Sequence, residues 1–195
     1  MRTIFNDYYD LNAPSYIAST LNLDMGEHYA RFLKYLSGTK ILDLGSGSGR
    51  DSLYFFKEGY EVTAIDSSLA MVKATSELTG LNARHLSIQE LDYIDHFDGI
   101  WASASLVHVP RNEMELAFSL LARALKANGV LYCSFKNREE DYTSEGRSFT
   151  CYTPLLFEEF LGSLGSFTLL EMVTSPDLRF GRSGESWLNL ILRTT

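Results

Sequence analysis

Ile41-Leu42-Asp43-Leu44-Gly45-Ser46-Gly47-Ser48-Gly49-Arg50 sets an apolar run, an alternation of glycine and serine, and a charged opening residue side by side. Ile41, Leu42 and Leu44 read as a short buried strand, and Arg50 to Lys57 as a helix stopped by Gly59. The unit is strand, glycine loop, helix. Glycines at such a junction let the chain turn tightly and let a ligand approach bare backbone, while the N–H groups opening the helix favour negative charge and hydrogen-bond acceptors. An ordinary flexible loop is the weaker reading, because this is where open α/β sheets bind ligands.

Working outward, helical and strand patterns alternate, which predicts a doubly wound α/β domain with helices on both faces of a largely parallel sheet. Upstream, Asp24 and Glu27 can cap a helix carrying Tyr29, Phe32, Leu33 and Leu36 before Gly38. Downstream, Val62 to Ile65 reads as a second strand closed by Asp66, and Ser67 or Ser68 caps a helix running toward Leu78 with Gly80 as its stop. Ala83 to Leu86 is a weak third strand and Phe97 to Ala102 a fourth. A helix bearing Met114, Ala117, Phe118, Leu121, Ala124 and Leu125 on one face follows Pro110. Val130 to Phe135 is a fifth strand, Lys136 to Ser148 a loop, and Thr153-Pro154 the start of a last helix. Strands near 167–173 and 186–192 complete the chain.

The 195 residues, 45 % hydrophobic and 22 % charged, suit one domain with its own core. We divide it into an N-terminal helical lid (1–38), a cofactor-binding core (39–136) and a substrate-side part (137–195). A formal net charge of -8 works against bulk nucleic-acid binding. Cys133 and Cys151 form neither a disulfide framework nor a metal-ligand set, so no metal is expected. No stretch approaches a membrane span, and the polar opening lacks a secretion signal, which predicts a soluble cytoplasmic protein.

The spacing narrows the ligand. A dinucleotide fingerprint needs a small residue where Arg50 stands, so that reading weakens. Asp43, at the strand's end, can meet an ammonium group, and Asp66, closing the second strand, can accept both hydroxyls of a ribose. Asp66 as a mere helix cap is less favoured, since Ser67 and Ser68 can supply the cap. A ligand that is both amino acid and nucleoside would use both acids.

ILDLGSGSGRD, the acid in VTAIDSS, FDGIWASASLVHVP and ALKANGVLYCSFK together resemble the successive motifs of class I S-adenosylmethionine-dependent methyltransferases over most of residues 40–136. With its NDYYDLNAPSYIAST opening, the chain is similar within that superfamily to small bacterial methyltransferases of the tellurite-resistance-like type. The resemblance implies a Rossmann-like seven-stranded mixed sheet whose last strand enters antiparallel between the fifth and sixth. It also implies that Asp43, Gly45, Ser46, Gly47, Gly49 and Arg50 surround the methionine part, Asp66 and Ser67 the ribose edge, and Gln89 and Glu90 the adenine. Ala102 and Ser103 would pass beneath the sulfonium. The Asn/Asp-Pro-Pro-Tyr/Phe element of many DNA-base methyltransferases is replaced by Ser103-Ala104-Ser105-Leu106-Val107-His108, which disfavours that chemistry.

Three further groups are candidates. His108 can take a proton from the acceptor or orient it, or can simply be a loop histidine bonded to backbone. Tyr8, Tyr9 and Tyr16 can form a lid that excludes water, with Tyr8 and Tyr16 touching cofactor, or can glue the segment to the sheet. Arg179 and Arg182 can hold an anionic acceptor by forked hydrogen bonds, or stay solvated. Trp187 and Cys133 are read as packing. The function expected is methyl transfer to a small molecule, a metalloid oxyanion or soft nucleophile among them. The alternatives are a tRNA or protein methyltransferase and a non-catalytic cofactor-binding regulator.

Overall fold

The computed structural model describes residues 4–195; the first three residues of the expected lid segment lie outside it. The elements follow as α1 (Ile4–Thr20), α2 (Gly26–Leu33), β1 (Lys40–Leu44), α3 (Arg50–Lys57), β2 (Glu61–Asp66), α4 (Leu69–Thr79), β3 (Arg84–His85) and β4 (Phe97–Ala102). Then come α5 (Met114–Ala124), β5 (Leu125–Lys136), β6 (Tyr142–Ser144), β7 (Arg147–Phe149), α6 (Pro154–Leu164), β8 (Phe167–Pro176) and β9 (Ser186–Thr194).

Seven strands make one sheet in the order β3-β2-β1-β4-β5-β9-β8. The first five run parallel, and β9 pairs antiparallel with both β5 and β8, as the resemblance implied. The chain leaves β1 toward β2 on one side and returns to β4 on the other, so the crevice beyond the carboxyl end of β1 is the switch point of the sheet. On one face Tyr29 and Phe32 of α2 and Phe55 of α3 pack on Trp101 and Tyr132, whose rings stack 3.8 Å apart. On the other, Phe118 and Leu121 of α5 and Phe157 of α6 bury against Ile100, Leu131 and Leu190. Each such side chain contributes about 1.5–3 kcal/mol of transfer free energy, which anchors the loops at the strand ends.

Local signals set the ends of the helices. Ser68 accepts from the Met71 N–H and Gly80 closes α4 in the left-handed conformation; Thr153 accepts from the Leu156 N–H with Pro154 in the first turn of α6. Asp24 accepts instead from the Gly26 N–H at 2.9 Å, ahead of α2.

Two expected boundaries are corrected. The fifth strand begins at Leu125 rather than Val130, because Leu125 pairs with Phe97 and is buried there, so tertiary pairing overrides its helical spacing. The segment read as a loop from Lys136 to Ser148 contains the β6–β7 hairpin. Glu145 and Gly146 turn it at φ 51° and 76°, a conformation that suits a two-residue hairpin turn, and Tyr142 stacks on Phe149 across it at 4.6 Å. Among the described residues no helix is long and apolar enough to cross a membrane, and no cluster suits a metal ion.

Candidate active site

The glycine loop is held from behind. Gly45 and Ser46 donate their N–H groups to the Ile65 carbonyl, and the Gly47 N–H goes to Asp66 Oδ2 at 2.9 Å. Its three glycines serve different ends. A Cβ at Gly49, where φ is +81°, would stand 2.9 Å from the Thr75 backbone, so this glycine lets α3 approach α4. A Cβ at Gly47, where φ is +54°, would meet nothing nearer than Tyr16 at 3.6 Å and the Gly45 carbonyl at 3.8 Å, so that glycine presents bare backbone to the space beneath α1.

That space is a cavity at the carboxyl ends of β1, β4, β5 and β8 and the amino end of the antiparallel β9. Its floor is Gly45 to Ser48 with Ser103 and Ala104; Tyr9 and Tyr16 of α1 roof it, and Phe149, Arg147, Leu178, Arg179 and Trp187 form the far wall. Helix α1 is tied down at both ends of the opening. Asp10 accepts from Ser68 Oγ at 2.5 Å and from the Ala70 N–H at 3.1 Å, while Tyr8 donates to Glu145 at 3.1 Å. The N-terminal segment is therefore positioned to exclude water from the cavity.

At the near end, Arg50 and Asp51 line the wall as a pair, with Arg50 Nε and Asp51 Oδ1 2.6 Å apart. Asp51 also accepts from Trp101 Nε1 at 2.8 Å and from the Tyr29 hydroxyl. Burial opposes its charge, but Arg50 and these donors outweigh burial and hold the carboxyl below its usual range. Asp43 lies behind the wall, 2 % exposed, accepting from Ser52 Oγ at 2.5 Å. Burial, reinforced by the Asp51 charge, pushes its carboxyl up to about 8. The acid presented to the cavity is Asp51, in the first turn of α3, and not the strand-end Asp43. His28, also in this wall, has a buried Nδ1 without a hydrogen-bond partner, and burial lowers its pKa.

Asp66 is buried at the end of β2, with Oδ1 on the Ser68 N–H at 2.9 Å and Oδ2 on Gly47. Burial raises it to about 6 against those two donors. Neither Asp66 nor Ser67, which follows it, lines the cavity; Asp66 reaches it through the Gly47 N–H. Gln89 bonds to Glu113 at 2.9 Å, and Glu90 accepts from the Ser87 N–H and hydroxyl at 2.9 and 2.7 Å; neither lines the cavity. Ala102 is fully buried just short of Ser103.

His108 is fixed on both nitrogens. Nδ1 donates to the Ser148 carbonyl at 3.0 Å, which leaves Nε2 to accept from the Tyr9 hydroxyl at 2.7 Å. Burial lowers its pKa to about 4, so it is a neutral acceptor at ordinary pH. Of the tyrosines, Tyr16 and Tyr9 reach the cavity, and Tyr8 lies outside it against Arg147. Arg179 lines the wall with two donors on Asp177, at 3.0 and 2.6 Å, whereas Arg182 stands outside it, 2.8 Å from Glu185.

Among the wall residues that sequence reading missed are Asp51, Tyr9 as a cavity residue, Arg147 and Trp187, along with His28, Phe149 and Leu178. Trp187, read as packing, carries Lys136 Nζ 4.2 Å from its ring centroid, and that buried lysine bonds Asp177 at 2.7 Å and also Glu185. A signal for Arg147 existed in Glu145-Gly146 between alternating side chains, a hairpin turn pattern. Cys133 is packed in the core as expected, its thiol pushed up by burial.

Residues 41–129 match the family model described as a methyltransferase domain. A ubiquinone biosynthesis O-methyltransferase of Xanthomonas oryzae pv. oryzae is 30 % identical over 141 residues, 68 % of this chain and 57 % of that enzyme; the chain thus spans little more than half its length. Among solved structures, the Burkholderia thailandensis 1,6-didemethyltoxoflavin-N1-methyltransferase with bound 1,6-didemethyltoxoflavin and S-adenosylhomocysteine superposes with TM-score 0.82 at 20 % identity, covering 98 % of this chain and 88 % of that one. The [4+2]-cyclase SpnF superposes with TM-score 0.72 at 16 % identity, covering 97 % and 94 %. Residues 41–129 thus resemble a methyltransferase domain, within a chain that shares its fold with solved methyltransferase structures.

Proposed function

We propose that the protein binds S-adenosylmethionine and transfers its methyl group to a small-molecule acceptor within the cavity beneath α1. The observation that carries this is one wall in which Gly47 offers bare backbone under Tyr16 and the Arg50–Asp51 pair offers both charges. An α-amino acid end needs both a cation for its carboxylate and an anion for its ammonium. Arg50, Asp51 and His28 would hold that end, Gly45 to Ser48 the backbone beside it, Asp66 the ribose, and Ser103 the region of the reacting centre. The roles expected of Asp43, Ser67, Gln89, Glu90, Ala102 and Tyr8 become supporting ones, acting from behind the wall or through α1. When bound, the cofactor supplies an electrophilic methyl group on a positively charged sulfur.

The chain's own task is alignment and exclusion of water. Tyr9 and Tyr16 cover the cavity, and the far wall confines the acceptor to something small. Apart from His28, whose Nδ1 is unpartnered in the near wall with Arg50 and Asp51, the described acids and histidine of the wall are all engaged: His108 is bonded on both nitrogens, Asp51 is paired with Arg50, and Asp177 with Arg179 and Lys136. This favours an acceptor that needs little deprotonation, such as a soft nucleophile, a neutral nitrogen or an oxyanion; a metalloid oxyanion belongs to that class. His108 then orients Tyr9 and the acceptor.

The fold also serves a cyclase, so turnover has to be measured. Calorimetric titration is expected to show binding of S-adenosylhomocysteine and none of NADH; the reverse would reject the cofactor. Transfer of labelled methyl groups is expected with small acceptors from a thiol, amine, phenol, selenite and tellurite panel. Transfer only to tRNA or protein would replace the small-molecule reading, and binding without any transfer would make the protein a regulator.

A further inference from the structure

Charges on the cavity wall are balanced except at one residue. Arg50 has Asp51 as counter-ion and Arg179 has Asp177, both acids buried. Arg147, on β7 of the hairpin, is itself only 6 % exposed, yet its counter-ion Glu145 is 58 % exposed and lies outside the wall. An ion pair whose acid stands in water is screened and neutralises little of the buried charge. Arg147 Nε is moreover buried with no hydrogen-bond partner, which is costly unless something supplies an acceptor. The guanidinium is clamped from the lid side by Tyr8, 3.7 Å from its ring centroid, with Phe149 of its own strand 5.3 Å away. The surplus charge is thus held rigidly over the acceptor end of the cavity.

We propose that Arg147 is the anion anchor of the acceptor, and that the natural acceptor is a small planar acid carrying a carboxylate or a similar oxyanion. An anion placed there satisfies the orphaned Nε, neutralises the unmatched charge, and meets the flat side chains of Phe149 and Trp187 in the same wall. Because Tyr8 comes from α1, the anchor is complete only when the lid lies down. Specificity follows from the acid itself: a neutral analogue leaves the guanidinium buried without an opposing charge.

The inference rests on the cofactor reading above, and the experiment keeps the two apart. S-adenosylhomocysteine is titrated first; its failure to bind would overturn the cofactor reading and this inference with it. The protein saturated with S-adenosylhomocysteine is then titrated with benzoate, 4-hydroxybenzoate, anthranilate and 3,4-dihydroxybenzoate, and with the methyl ester of each. At least one acid is expected to bind tenfold or more tighter than its ester. Arg147→Gln is expected to abolish that preference while S-adenosylhomocysteine still binds, Arg147→Lys to restore part of it, and Lys73→Gln, removing an exposed charge on α4, to leave it intact. Equal binding of acids and esters, no binding of any acid, or a preference that survives Arg147→Gln would overturn the proposal. Should Arg147→Gln fail to fold, Arg147→Lys and Tyr8→Ala must each weaken the acid but not the ester.

Discussion

The Tyr9 hydroxyl donates to His108 Nε2 at 2.7 Å, so the imidazole carries its proton on Nδ1 and α1 is latched to the loop after β4 by a single neutral hydrogen bond. A cationic imidazole would lose that acceptor, because both of its nitrogens donate.

The consequence is a pH dependence of known sign. Burial holds His108 at about 4 in the folded chain, below its ordinary value near 6.5. Between those values the unfolded chain binds the extra proton, so stability is complete above pH ~6.5 and is lost as pH falls toward 4. The span corresponds to roughly 3 kcal/mol at most, at 1.36 kcal/mol per pH unit. Asp66 and Asp43, both raised by burial, slope the other way, so the comparison has to be made between variants. Urea unfolding from pH 4 to 7 is expected to show a shallower acid loss for His108→Gln than for the unaltered protein.

The two neighbouring acids are expected to behave differently. Asp51 faces the cavity with its charge stabilised, whereas Asp43 is covered, and burial together with the Asp51 charge shifts it toward the protonated form. Asp51→Asn removes an anion where the cofactor's ammonium would sit and should weaken S-adenosylhomocysteine binding tenfold or more. Asp43→Asn replaces that covered acid by an amide of the same shape and should change affinity by less than about threefold, the effect of roughly 0.6 kcal/mol. Calorimetry on the pair decides between them.

Two glycines of one loop should separate folding from binding. Gly49→Ala drives a methyl group to 2.9 Å from the Thr75 backbone at φ +81°, and is expected to destabilise by about 1–3 kcal/mol. Gly47→Ala meets Tyr16 and the Gly45 carbonyl at ordinary contact distances, so it should cost about 1 kcal/mol for its positive φ and block cofactor approach. Thermal unfolding and S-adenosylhomocysteine titration of both variants give the test: a larger loss of stability in the first, a larger loss of affinity in the second.

Local chemistry made most of the architecture legible before any coordinates. Apolar β1, the glycine loop, α3, the Ser68 and Thr153 caps and the glycine stops each depend on neighbours within a few residues, and all stand where the spacing puts them. Leu125 escaped because strand pairing with Phe97, 28 positions away along the chain, decides its state and leaves no mark on local spacing.

Side-chain direction is where the one-dimensional reading stopped. Tyr8 and Tyr9 are adjacent on a helix and so point about 100° apart; only the docking of α1 on α4 and the hairpin selects Tyr9 for the cavity and Tyr8 for Arg147. Asp43 and Asp51 are both acids beside the glycine loop, and the packing of α3 on Trp101 turns the second one inward. The amino-acid order alone determined that a bare glycine loop would stand at the end of β1, between strand and helix. Only the tertiary structure decided which charges face the cavity there, because a charge is set by burial and by partners brought from distant segments.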